Sequence, residues 1–278
     1  MKLKLLLLLL PFLSFAQDDL LAEIDTTLNN QAVSSAFKAM KIVNLESTKL
    51  AAKGDLYFIV AHRFGSVQDG FEGFFGLDNA NTQIKFLYGL QEWLTIGAAR
   101  SELAYDFSAK YRFQEQITDG FPVSIVGFSS LAINNTLKRS LYPKMTFENR
   151  LIYVTQLLVS RKFTERLSLQ LSPTFFHENF VTNDSQDNSQ YAVGIGGRYK
   201  LTNRWSINAD YAAHLNRTSS SIFKNPLSIG FDLETGGHVF QMHFTSSRGI
   251  HEGGFLGQTT GDWTTGEVFF GFNLLRVF

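Results

Sequence analysis

Beyond residue 16 this chain has no unbroken apolar run long enough to cross a bilayer as a helix, which takes about 20 apolar residues. Its apolar residues recur instead at every second position through segments of strand length. The clearest case sets Leu103, Tyr105, Phe107, Ala109, Tyr111 and Phe113 against Ala104, Asp106, Ser108, Lys110 and Arg112. Leu56, Phe58, Val60 and Phe64 likewise oppose Tyr57, Ile59, Ala61 and Arg63, and Ile84, Phe86 and Tyr88 oppose Gln83, Lys85 and Leu87. Such strands either close around an apolar core in water or stand in lipid with the apolar face outward. In hydrocarbon every backbone polar group must be paired internally, so a spanning sheet has to close on itself.

Turns separate the two cases. Tight polar connections at 91–92, 165–166, 203–204 and 234–237 alternate with long ones at 65–80, 135–148, 180–188, 216–225 and 247–265. Short turns on one rim and long loops on the other are the asymmetry of an outer-membrane barrel, with the short side in the periplasm. Strands are predicted over 54–64, 81–90, 92–101, 103–113, 121–134, 148–163, 166–178, 189–201, 204–215, 226–235, 237–247 and 266–278. That makes an all-β, antiparallel up-and-down barrel of about twelve strands over 54–278. Residues 37–44 can form a short strand, but counting it in the wall would break the even parity. It is therefore assigned to the lumen or the periplasmic rim.

The two ends of the chain agree with that location. Lys2 and Lys4, the apolar run to Leu13, and Ser14-Phe15-Ala16 predict a signal peptide over 1–16. Residues 17–53 then form a periplasmic N-terminal segment, with Leu20, Leu21, Ile24 and Leu28 at helical spacing. At the other end Val268, Phe270, Phe272, Leu274 and Phe278 share one face, and the chain ends on the bare aromatic Phe278. This resembles the closing strand of bacterial outer-membrane barrels, which implies that Phe278 is an assembly signal read by the barrel assembly machinery. The remaining expected partners are outer-membrane lipids and a periplasmic partner for residues 17–53.

Composition removes several function classes. Without Lys2 and Lys4 the chain has 23 basic residues against 25 acidic ones, so there is no excess of cations to neutralise nucleic-acid phosphates. Cysteine is absent, which excludes disulfides and thiolate metal sites. No cofactor is expected. His238 and His243 lie five apart and point to opposite faces of a strand, so they predict no two-histidine metal site. The 27 phenylalanines suit lipid contact better than water contact.

The blocks His62-Arg63-Phe64-Gly65, Phe75-Gly76-Leu77-Asp78-Asn79-Ala80, Glu234-Thr235-Gly236-Gly237-His238-Val239-Phe240-Gln241 and Thr260-Gly261-Asp262-Trp263 resemble those of an uncharacterised family of bacterial outer-membrane β-barrel proteins of unknown function. The resemblance implies the fold and the outer-membrane location and carries no catalytic residue with it.

The alternation places Arg63, Lys85, Asp106, Lys110, Arg112, Lys162, Arg198, Lys200, Asp210, Asp232, Glu234, Gln241 and His243 on the lumen side. Buried charges are tolerated when paired, so one reading is a salt-bridged network filling a narrow barrel. The other is a surface that selects small polar or anionic solutes, with Lys110, Arg112 and Arg198 biasing passage towards anions. The aromatic, Gly-rich loops carrying Phe71, Phe74, Phe75, Phe255 and Trp263 are expected to pack inward. The leading functional expectation is a narrow channel for passive uptake of such solutes. A plugged structural barrel that anchors a partner competes with it, and a membrane-embedded hydrolase comes third, no diagnostic Ser-His spacing being present.

Overall fold

The computed structural model describes residues 31–182 and 186–278. The expected signal peptide, and Leu20, Leu21, Ile24 and Leu28 of the expected helical spacing, fall outside the described residues. Twelve strands form one closed antiparallel barrel. They are β1 (Leu56–Ser66), β2 (Asn81–Gln91), β3 (Leu94–Ser101), β4 (Ala104–Gln114), β5 (Ser124–Asn134) and β6 (Leu151–Lys162), followed by β7 (Leu167–Glu178), β8 (Ser189–Lys200), β9 (Trp205–His214), β10 (Leu227–Thr235), β11 (His238–Thr245) and β12 (Phe269–Val277). Each strand pairs with its sequence neighbours, and β1 closes the ring against β12 with Tyr57 opposite Val277. No described helix is long and apolar enough to cross a membrane.

The faces fall as the alternation requires. Arg63, Gln83, Lys85, Asp106, Lys110, Asp210 and Asp232 are buried towards the lumen, while Ile84, Phe86, Phe107, Leu171, Ile195 and Phe231 are exposed on the outside. In lipid that outer band is the favourable surface. Two connections depart from the expected rim asymmetry. Glu102 and Leu103 alone join β3 to β4 on the long-loop rim, while the periplasmic link between β4 and β5 spans residues 115–123.

The N-terminal segment is where the structure corrects the sequence reading. Residues 37–44 lie in the lumen, one of the two expected places, but they are not a strand, and 45–53 accompany them there. Together they form an irregular hairpin inside the barrel. Gln31 to Ser34 are pinned at the periplasmic rim, where Val33 N donates to Gln116 O at 2.9 Å and Thr118 N donates to Gln31 O at 3.0 Å. The chain then enters the bore and reverses between Lys41 and Glu46, with Ile42 N on Leu45 O at 2.8 Å and Ser47 N on Met40 O at 3.0 Å. It returns to the rim at Gly54, whose N–H donates to Gly89 O at 2.8 Å. A twelve-strand ring is wider than the eight-strand barrels that wall side chains can fill, and this hairpin occupies the difference. Phe37, Ala39, Met40, Ile42, Leu45 and Leu50 are all buried.

The opposite mouth is closed by chain as well. The β11–β12 loop turns inward as a short helix, α1 (Glu252–Gly257), every residue of which is buried. Phe255 follows the expected inward packing, and Trp263 is held by an Nε1 bond to Leu227 O at 2.8 Å. The β1–β2 loop does not follow it: Phe71, Phe74 and Phe75 are exposed.

Candidate functional site

The centre of the lumen is organised around one carboxylate, Glu46, at the end of the hairpin's reversal. It receives Lys85 Nζ on Oε1 at 3.0 Å and Lys110 Nζ on Oε2 at 2.9 Å, with Lys41 Nζ 3.5 Å from Oε1. Burial alone would raise the Glu46 carboxyl, but Lys110, Lys85 and Lys41 outweigh it and hold the group well below the usual carboxylate range. Lys41 also pairs with Glu252 of α1 at 2.5 Å, so the hairpin and the inward loop share an ion. Burial raises Glu252, and Lys41 only partly offsets it.

The rest of the wall grips the hairpin mainly through its backbone. Lys110 Nζ donates to the carbonyls of Ser47 at 2.8 Å, Met40 at 3.1 Å and Lys49 at 3.2 Å. Asp210 Oδ2 accepts the N–H groups of Asn44, Leu45 and Val43 at 2.7, 2.9 and 3.0 Å. Gln241 Nε2 donates to Ile42 O at 3.0 Å and to Asp232 Oδ1 at 3.0 Å. Arg63, fully buried, donates to Asn44 Oδ1 at 2.8 Å and to Asn273 Oδ1 at 3.0 Å.

Two close approaches show why glycine stands on the wall at these places. A Cβ on Gly89 would lie 1.8 Å from the Ala52 carbonyl oxygen, and one on Gly196 would lie 2.5 Å from Ile42 Cδ1.

The remaining sequence-predicted residues divide by height. Asp106 accepts from Gln83 at 3.1 Å, near the Glu46 cluster. Arg198 bonds Ser206 at 3.1 Å and pairs with Glu234. Arg112 pairs with Glu115, and Lys162 bonds both Ser34 and Glu165 at the periplasmic rim, while Lys200 is half-exposed at the end of β8. Lys110, Arg112 and Arg198 are therefore not brought together: Lys110 is spent on the hairpin, and the other two have carboxylate partners of their own. Lys41, Glu46, Gln170 and Glu252 are the site residues that the alternation missed, because three of them do not lie on strands.

The hairpin and the inward loop fill the middle of the lumen in this arrangement. A cavity between hairpin, loop and wall, lined by Lys41, Gln83, Lys85 and Gln241 among others, gives the centres of water-sized molecules about 20 Å³. That is room for about one water. Among the described residues no group of three or more His, Asp or Glu is placed to hold a metal ion.

Residues 37–278 match the model of a family described as membrane-bound beta barrel domain, DUF5777. The chain belongs to that family. Its matched stretch takes in the hairpin from Phe37 onward as well as the whole wall, so this DUF5777 barrel is an integral β-barrel of the bacterial outer membrane. Comparison with curated proteins returned no match. Among solved structures the chain is similar to the KdgM porin in complex with disordered oligogalacturonate, at 7% identity over 81% of this chain and 99% of that one, with a TM-score of 0.51. It is similar also to the NanC porin, at 9% identity over 80% and 98% with a TM-score of 0.49. A third match is an outer-membrane channel from Pseudomonas putida F1, at 12% identity over 83% and 97% with a TM-score of 0.48. At such identities the likeness concerns the fold.

Proposed function

We propose that this barrel is an outer-membrane channel for small polar solutes, shut at rest by its own N-terminal hairpin and opened when the hairpin withdraws into the periplasm. The observation that carries the reading is that the bore is filled by a terminal segment and not by the wall. The hairpin enters and leaves by the same periplasmic rim, so it can leave without breaking a wall strand. Its contacts are polar and exchangeable with water, apart from apolar packing of residues such as Phe37 and Leu45. Withdrawal takes Glu46 away from Lys85 and Lys110 and leaves two ammonium groups facing the bore, which favours anionic solutes.

Conductance in a planar bilayer tests this. The refolded wild-type chain is expected to be silent at neutral pH, and Glu46→Gln to give discrete steps with anion selectivity. Silence from Glu46→Gln, with insertion verified, would sink the channel reading and favour a permanently plugged barrel.

A further inference from the structure

The hairpin also reports what kind of molecule the lumen is built to hold. Six wall residues address its peptide groups: Lys110 takes three carbonyls, Asp210 three successive N–H groups, and Gln241 the carbonyls of Lys41 and Ile42. Gln170 donates to Glu46 O at 2.7 Å and accepts from Thr48 N at 3.1 Å. Thr95 accepts from Ala51 N at 2.9 Å, and Asn273 donates to Val43 O at 3.4 Å. None of these bonds reads a side chain. Successive N–H groups converging on one oxygen form the concave nest by which a peptide holds an anion. The wall thus offers both donors and acceptors to peptide groups, beside contacts to the Asn44 and Thr48 side chains, and Lys85 with Lys110 adds a seat for one acidic side chain.

We infer that the solutes of this channel are short peptides, with acidic ones preferred, and that the hairpin is an internal copy of them occupying their site. The inference rests on the hairpin being releasable, as proposed above. A hairpin that never left would need the same bonds, because buried backbone groups must be paired. The two cases part on whether free peptide competes for the wall.

The chain has no cysteine, so Ala36→Cys, which replaces the buried residue just ahead of the hairpin, gives a single reporting thiol in the full-length protein. A blocked tetrapeptide of three alanines and one glutamate, at millimolar concentration, is expected to speed modification of that thiol at least tenfold. Maltotriose, of similar size but without peptide groups, is expected to leave it unchanged. In Glu46→Gln channels the same tetrapeptide should block current with dwell times at least tenfold longer than maltotriose, and adding Gln170→Leu and Gln241→Leu should shorten them. Equal effects of tetrapeptide and sugar in both assays would overturn the peptide assignment while leaving the channel standing. Silent Glu46→Gln channels would overturn the channel itself, and the thiol assay would then decide peptide recognition alone.

Discussion

Lys41, on the N-terminal hairpin, and Glu252, the first residue of α1, hold each other at 2.5 Å across the middle of the barrel. The pair joins the closure that enters from the periplasm to the one that folds in from outside. Removing Lys41 strands the buried Glu252 carboxylate, and removing Glu252 leaves Lys41 with the Glu46 carboxylate, at 3.5 Å. Glu252→Gln is therefore expected to loosen the hairpin as well as the loop. Tenfold faster modification of a thiol at position 36, about 1.4 kcal/mol of lost protection, is the expected reading. Unchanged reactivity would mean that the two closures act independently.

Glu46→Gln should be the more severe change, since it removes the counter-charge of Lys41, Lys85 and Lys110 together. Breaking a buried pair costs about 3–5 kcal/mol. Limited trypsin digestion should cut the variant after Lys49 or Lys53 while the barrel keeps its heat-dependent gel mobility. A variant as resistant as wild type would show that apolar packing holds the hairpin in place.

Gly89→Ala tests the return limb. The added methyl would sit 1.8 Å from Ala52 O, so the hairpin has to move and the Gly54 N–H bond to Gly89 O is lost. Overpacking of this kind costs about 1–3 kcal/mol. Hydrogen exchange at Gly54 should accelerate, with little change at β7 and β8; slow exchange at Gly54 would refute the contact.

Acidification should act on the two closures in opposite directions. Glu252 is raised above 4.5, so the closed loop binds its proton more readily than an opened one, and closure by α1 is favoured as pH falls. Glu46 is depressed below 4.5, so its contribution is complete above that pH and is lost as pH falls through its lower, folded value. Of thiols placed at Phe255 and Ala36 and compared over a pH series, the one at 36 should gain accessibility on acidification and the one at 255 should not. Equal gains at both positions would contradict it.

Phe278→Ala separates assembly from stability. The ring is exposed with the Arg276 guanidinium 4.4 Å from its centroid, while the backbone of Phe278 pairs with Leu56. Refolded protein should melt within about 0.5 kcal/mol of wild type, whereas the amount inserted in cells should fall severalfold. Equal insertion would remove Phe278 as an assembly signal.

The wall was legible because lipid on one side and a polar lumen on the other impose a strict period of two on each strand. β5 begins at Ser124 and β6 at Leu151, three residues inside the predicted limits, because Pro122 stands ahead of β5 and Glu148–Arg150 coil into a 3-10 turn ahead of β6. The hairpin was not legible, because a segment surrounded by wall on all sides has no face and hence no period. Its trace in the sequence lies elsewhere. Gly89 and Gly196 stand where a side chain would collide with it, and Glu46 is the single acid among Lys38, Lys41, Lys49 and Lys53.

The hairpin runs into β1 only two residues after Gly54, and there Leu56 and Phe278 exchange both of their backbone hydrogen bonds, at 2.9 and 3.2 Å. Any traction on the N-terminus from the periplasm is thus delivered straight to the seam between the first and last strands. Antiparallel ladder bonds lie across the strands, so a pull along β1 loads them side by side in shear. The whole ladder from Tyr57 to Arg63 shares the load, and the hairpin can give way while the ring stays shut.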